Sequence, residues 1–66
     1  MKVFLNGEAR ELAEGATVAV LVAQLDLAGR RIAVEVNEDI VPKSLHAQTA
    51  LRDGDRVEIV HAIGGG

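Results

Sequence analysis

The sequence has no cysteine, tryptophan or tyrosine, and only one phenylalanine and one proline. Without thiols the chain has no cysteine nucleophile, thiolate metal ligand or disulfide staple. A small secreted domain usually relies on disulfides, so their absence favours a reducing, cytoplasmic setting. With one aromatic ring and no basic stripe, the stacking platform and phosphate track of a nucleic-acid binder are not expected. No apolar run approaches the ~20 residues that span a bilayer, so no membrane association is expected. Met1-Lys2 leads straight into a strand-like segment rather than an apolar leader, so no secretory signal is expected either.

What is present points to one small globular domain. The 66 residues are 48% hydrophobic and 26% charged, with a formal net charge of -3. Chains of this length bury about 60% of their unfolded surface, leaving room for a sheet and one helix but little for an enclosed catalytic cleft. A mildly acidic globule also suits a basic protein partner.

Local patterns give the element order. Lys2-Val3-Phe4-Leu5 is strand-like, and Asn6-Gly7 is the strongest short hairpin signal, because a type I′ turn needs positive φ at both central residues. A second strand is expected from Glu8 to about Leu12, broken by Glu14-Gly15. Thr17 is placed to cap a helix whose stripe is Val18, Leu21, Val22 and Leu25, with Gly29 as its stop. Ile32, Val34 and Val36 alternate with Ala33 and Glu35 as a half-buried strand. Asn37-Glu38-Asp39 makes a turn, and Ile40-Val41 a short strand closed by Pro42. The stretch from Lys43 to Ala50 reads as irregular with one helical turn, Leu45 and Leu51 filling the core. After the turn Arg52-Asp53-Gly54-Asp55, Val57 and Ile59 alternate with Arg56, Glu58 and Val60 in a last strand. If that strand lies beside the first, the two run parallel and the helix supplies the crossover such a pair requires. The expected fold is therefore α+β: a β-grasp, or ubiquitin-like, roll with a mixed sheet of four to five strands wrapped around one helix. The expected division is a domain over residues 1–61 and a flexible glycine tail over 62–66.

That tail, Ala62-Ile63-Gly64-Gly65-Gly66, is the clearest candidate for function. Three successive glycines pack nothing and cost conformational entropy. They offer a thin backbone that reaches roughly 16–18 Å when extended and can enter a narrow slot. The alternative reading is a frayed end or leftover linker. If Val3, Leu5, Val57 and Ile59 face the core, Phe4 and Val60 point outward on adjacent strands and form an apolar docking patch beside the tail. The competing reading puts Phe4 under a loop as ordinary core. His46 and His61 lack readable ligand partners, so surface or packing roles are expected and no metal site is assigned. Glu8, Glu11, Glu14, Glu38 and Asp39 read as solvated surface. No phosphate loop or nucleophile–base pair is present, and no catalytic residue is assigned.

The opening Met1-Lys2-Val3-Phe4-Leu5-Asn6-Gly7, the central Val34-Glu35-Val36-Asn37 running to Ile40-Val41-Pro42, and the stretch from Asp53-Gly54-Asp55 to Gly64-Gly65-Gly66 together resemble the small sulfur carrier proteins of thiamine biosynthesis, the ThiS family. The resemblance covers essentially the whole chain. The family usually ends in Gly-Gly, and here Gly64 precedes that pair. The resemblance implies a β-grasp carrier that is not itself an enzyme. A partner adenylating enzyme uses ATP and Mg²⁺ to convert the terminal carboxylate to an acyl-adenylate. A sulfur donor, such as a cysteine desulfurase relay, replaces AMP to leave a glycyl thiocarboxylate, and a thiazole synthase takes the sulfur. On this reading Gly66 is modified, Gly65 and Gly64 thread the partner's slot, and Ile63 and Ala62 anchor the tail's base. No cofactor is bound by the chain itself. The chemistry suits glycine: a carboxylate is a poor electrophile until adenylated, and a terminal residue without Cβ leaves the acyl carbon open. Competing readings are a molybdopterin-synthase-type sulfur carrier, a ubiquitin-like protein modifier, and a β-grasp binding module with an incidental tail.

Overall fold

The structure, a computed structural model, describes residues 1–61. Two antiparallel strands, β1 (Lys2–Leu5) and β2 (Glu8–Glu11), are joined by a turn in which Asn6 and Gly7 take φ of +49° and +86°. The Asn-Gly pair therefore supplies the two left-handed residues a tight hairpin needs. Helix α1 (Val18–Gln24) follows, then β3 (Ile32–Val36), β4 (Asp39–Val41), a 3-10 helix (Lys43–Gln48) and β5 (Arg56–His61). The five strands form one mixed sheet in the order β2-β1-β5-β3-β4. Strand β5 enters the middle, parallel to β1 and antiparallel to β3. This is the β-grasp arrangement expected from the element order.

The helix begins as its sequence predicts. The Thr17 hydroxyl accepts from the Val20 N–H at 3.2 Å, and Val18, Leu21 and Val22 are buried against the sheet. It does not run to Gly29. The helix ends at Gln24, because Asp26 adopts φ +60° and closes the last turn. Asp26 N–H donates to the Ala23 carbonyl at 3.0 Å, and Leu27 N–H to the Val22 carbonyl at 3.0 Å. That doubly bonded closure turns Leu27 back onto the core. Gly29, at φ +80°, serves the next turn instead.

The core gathers Val3, Leu12, Val18, Leu21, Val34, Leu51, Val57 and Ile59 between α1 and one face of the sheet. Leu51 fills it as expected, but Leu45 does not and is exposed. The 3-10 helix turns His46 inward in its place. The imidazole Nε2–H donates to the Val41 carbonyl at 3.1 Å, so a polar ring is tolerated where an aliphatic one was expected. Among the described residues no helix is long and apolar enough to cross a membrane.

Candidate functional site at the end of the central strand

Strand β5 leads to the glycine segment, and the fold fixes this strand with unusual care. Asn6, left-handed at the end of β1, lays its side-chain amide along β5 as if it were another strand residue. Its Nδ2 donates to the Ile59 carbonyl at 3.2 Å and its Oδ1 accepts from the Ile59 N–H at 3.0 Å. The Asn6 backbone N–H bonds the Val57 carbonyl at 2.8 Å. From the other side, Asn37 does the same at the start of β5. Its Oδ1 accepts from the Arg56 N–H at 3.0 Å, its Nδ2 donates to Asp55 Oδ1 at 3.0 Å, and its backbone N–H bonds the Arg56 carbonyl at 2.7 Å. The preceding turn is tied to β1, with the Lys2 N–H donating to Asp53 Oδ1 at 2.7 Å and the Gly54 N–H to the Lys2 carbonyl at 2.7 Å. In the sequence Asn6 and Asn37 stand out as turn residues only. Their second role as side-chain strands depends on where β5 inserts, which neither dipeptide encodes.

The outward face of the sheet carries the docking candidates. Val57 and Ile59 face the core, so Arg56, Glu58 and Val60 face out, as do Lys2 and Phe4 on β1. Phe4 is 38% exposed and Val60 58%. They share a face but are not neighbours. Phe4 lies opposite Arg56, and Val60 is four residues further along β5, beside Ala33; at ~3.3 Å per residue that is about 13 Å. Phe4 lines a shallow hollow of about 390 Å³ with Gly7, Gly54, Arg56, Val57 and Glu58. A third outward apolar residue, Ile40, is 71% exposed and sits opposite Glu35. Strict alternation along β4, with Val41 turned inward, is the signal that marks it.

Between these apolar points lies charge. Glu35 and Glu58 stand directly opposite each other on β3 and β5, and with Glu38 and Arg56 they line a small depression of about 80 Å³. The face is therefore apolar at Phe4, Val60 and Ile40, and acidic at its centre. His61 ends β5 opposite Ile32, and His46 is committed to Val41. Among the described residues no three His, Cys, Asp or Glu side chains are grouped to hold a metal ion. The sequence-predicted tail residues Ala62, Ile63, Gly64, Gly65 and Gly66 lie outside the described residues.

Comparison with known proteins agrees with this geometry. Over all 66 residues the chain is 36% identical to the sulfur carrier protein ThiS of Escherichia coli strain K12, covering 100% of both. The crystal structure of the thiamine biosynthesis protein ThiS from Geobacter metallireducens superposes with a TM-score of 0.86 at 30% identity, again over 100% of both chains. A thiazole synthase of Paramagnetospirillum magneticum is 50% identical over 66 residues, all of this chain but only 20% of that protein. A second, from Magnetococcus marinus, is 38% identical and likewise matched over 20% of its length. The chain thus spans about a fifth of the length of these two relatives. The model of the ThiS family matches residues 3–66, and the chain belongs to that family.

Proposed function

We propose that this chain is a sulfur carrier for thiamine biosynthesis, acting as a co-substrate rather than as a catalyst. The observation that carries the reading is the 36% identity to a sulfur carrier protein ThiS over 100% of both sequences. The pinned central strand, leading directly in sequence to Gly64-Gly65-Gly66, supports it.

The proposed chemistry occurs at Gly66. A carboxylate oxygen attacks the α-phosphorus of ATP in the adenylating enzyme, where Mg²⁺ accompanies the nucleotide, and pyrophosphate leaves. A sulfur nucleophile then adds to the acyl carbon and AMP leaves with the electron pair of the C–O bond, giving the thiocarboxylate. Hydrosulfide suffices for this balance; a cysteine desulfurase relay is the proposed donor in the cell. Gly65 and Gly64 thread the slot because a backbone without Cβ approaches its walls closely, and Ala62 and Ile63 anchor the tail's base. The receiving enzyme is proposed to be a thiazole synthase. Support comes from the two thiazole synthases that contain a stretch similar to the whole of this chain. The outward sheet face, with Phe4 and Val60 flanking Glu35 and Glu58, is the proposed docking surface for the cationic rim of such a partner. The setting is proposed to be cytoplasmic.

The test is intact mass of the full-length protein after incubation with the adenylating enzyme of the thiamine pathway, ATP, Mg²⁺ and sulfide. Exchange of one oxygen for one sulfur, localised to Gly66, is expected. The variant Gly65→Val should keep its fold and lose adenylation. An unchanged mass, with the enzyme active on the Escherichia coli carrier, defeats the assignment.

A further inference from the structure

The side of the molecule opposite the outward sheet face carries a second concave surface. A groove of about 240 Å³ opens between α1, the segment from Leu27 to Ile32, and the 3-10 helix. Val22, Leu27 and Ile32 line it with aliphatic carbon, while Arg30 and Lys43 stand along it as cations. Both cations are exposed, and among the described residues neither forms an ion pair. Among the described residues no acidic side chain lines the groove. In a chain of net charge -3 this is a local inversion of sign. The occupant it fits is an aliphatic side chain accompanied by carboxylates.

The chain presents that combination itself. Among the described residues Ile40 is the most exposed large hydrophobic one, and Glu38 of the β3–β4 turn and Asp39 at the start of β4 immediately precede it. The backbone there is fixed, with Asn37 and Glu38 at φ +50° and +73° and Asp39 paired with Val36. Tip and groove also share an edge of the molecule. Lys43 follows Val41 by two residues, and the hydrogen bond from His46 Nε2 to the Val41 carbonyl at 3.1 Å fastens the groove wall to β4. β4 is an edge strand, open on its outer side.

We propose that the groove between α1 and the 3-10 helix is the docking site for the Glu38-Asp39-Ile40 tip of a second copy of this chain. Ile40 enters the aliphatic floor, and the two carboxylates meet Arg30 and Lys43. The proposal is independent of the sulfur chemistry, and its tip lies at the β4 edge of the outward face, with β3 and β5 between it and the β1 strand that carries Phe4. The expected assembly is weak and salt-sensitive, because its ion pairs stay near solvent.

The test follows the full-length protein from about 20 µM to about 2 mM by sedimentation velocity and by amide chemical shifts, a range that brackets a weak dimer. The expected result is concentration-dependent association, with shifts at residues 38–40 and along the groove at Leu27, Arg30, Lys43 and Ala47. Reversing the rim (Arg30→Glu with Lys43→Glu) or the tip (Glu38→Lys with Asp39→Lys) should each weaken association roughly tenfold. Combining both reversals in one chain should restore it. All four side chains are exposed, so the variants retain the fold, which the dispersion of the amide spectrum checks. A chain that stays monomeric throughout overturns the proposal, including the case where groove amides shift only with added hexanoate, which would make the groove a small-anion site. Association that ignores both reversals, or that maps to Phe4 and Val60, overturns it too.

Discussion

Replacing Asn6 tests the idea that a side chain, rather than the strand ladder alone, holds the C-terminal end of β5. In Asn6→Ala two part-buried hydrogen bonds to the Ile59 backbone disappear, at 3.0 and 3.2 Å in the parent. At about 1 kcal/mol net for each, that is about 2 kcal/mol. Alanine must also hold φ +49° without the local polar contacts that ease asparagine into this region, which adds about 1 kcal/mol. The expected loss is therefore about 3 kcal/mol, against a total of roughly 3–10 kcal/mol for a domain of this size. Asn6→Gly separates the two effects, since glycine accepts the backbone angle but cannot make the bonds; it should lose about 2 kcal/mol. Asn6→Asp keeps the acceptor for the Ile59 N–H but turns a carboxylate oxygen toward the Ile59 carbonyl, and should resemble glycine or fare worse. The assay is equilibrium urea unfolding at 25 °C, with hydrogen exchange of the Ile59, Val60 and His61 amides as the local readout. Asn6→Ala within about 0.5 kcal/mol of the parent, with Ile59 still protected, would refute the reasoning.

Two further substitutions probe the elements around that strand. Asp26→Gly should stabilise the protein by about 0.5–1 kcal/mol in thermal or urea unfolding, because Asp26 sits at φ +60° in the helix-closing turn; a loss would mean that its carboxylate contributes something the turn geometry does not. Glu58→Lys should raise stability by a few tenths to about 1 kcal/mol, and most at low salt, by replacing a like-charge cross-strand pair with Glu35 by an opposite one. The same change should weaken binding to the thiazole synthase if the outward face meets its cationic rim, so stability and affinity move in opposite directions.

Much of this fold was legible because its signals are local and mutually consistent. Asn6-Gly7 encodes a hairpin, Thr17 begins a helix, and the alternation of Val57 and Ile59 with Arg56, Glu58 and Val60 sets one face of β5 inward. The errors came where tertiary context overrode a local rule. Gly29 looked like the helix stop, but Asp26 accepted the left-handed turn three residues earlier, and Leu27 then found the core. Leu45 looked like core, but the phase of the 3-10 helix is set by the hydrogen bond from His46 to Val41, so the hydrocarbon faces water. Phe4 and Val60 read as one patch because both alternate outward. Their separation depends on the register of a parallel pair whose partners are some fifty residues apart in sequence, information no local pattern carries.

The pinning of β5 has a mechanical reason. A strand at the end of a chain is ordinarily the first to fray, and a parallel pairing with β1 closes the longest loop in the molecule before it gains any contact. Here that last strand is also central, flanked by β1 and β3. Asn37 secures its beginning at Arg56 and Asn6 secures Ile59, two residues before His61. On the proposed function, a carrier that hands its terminal glycine to one enzyme after another must let the segment beyond β5 be gripped without unravelling the sheet. Tension applied beyond His61 would load β5 in shear against both neighbours, so hydrogen bonds on its two sides resist together rather than opening one by one from an edge. The two asparagine side chains lengthen that resisting ladder without lengthening either strand. Under the proposed function, that is what the domain needs if the segment beyond β5 is to be handed on while the sheet stays folded.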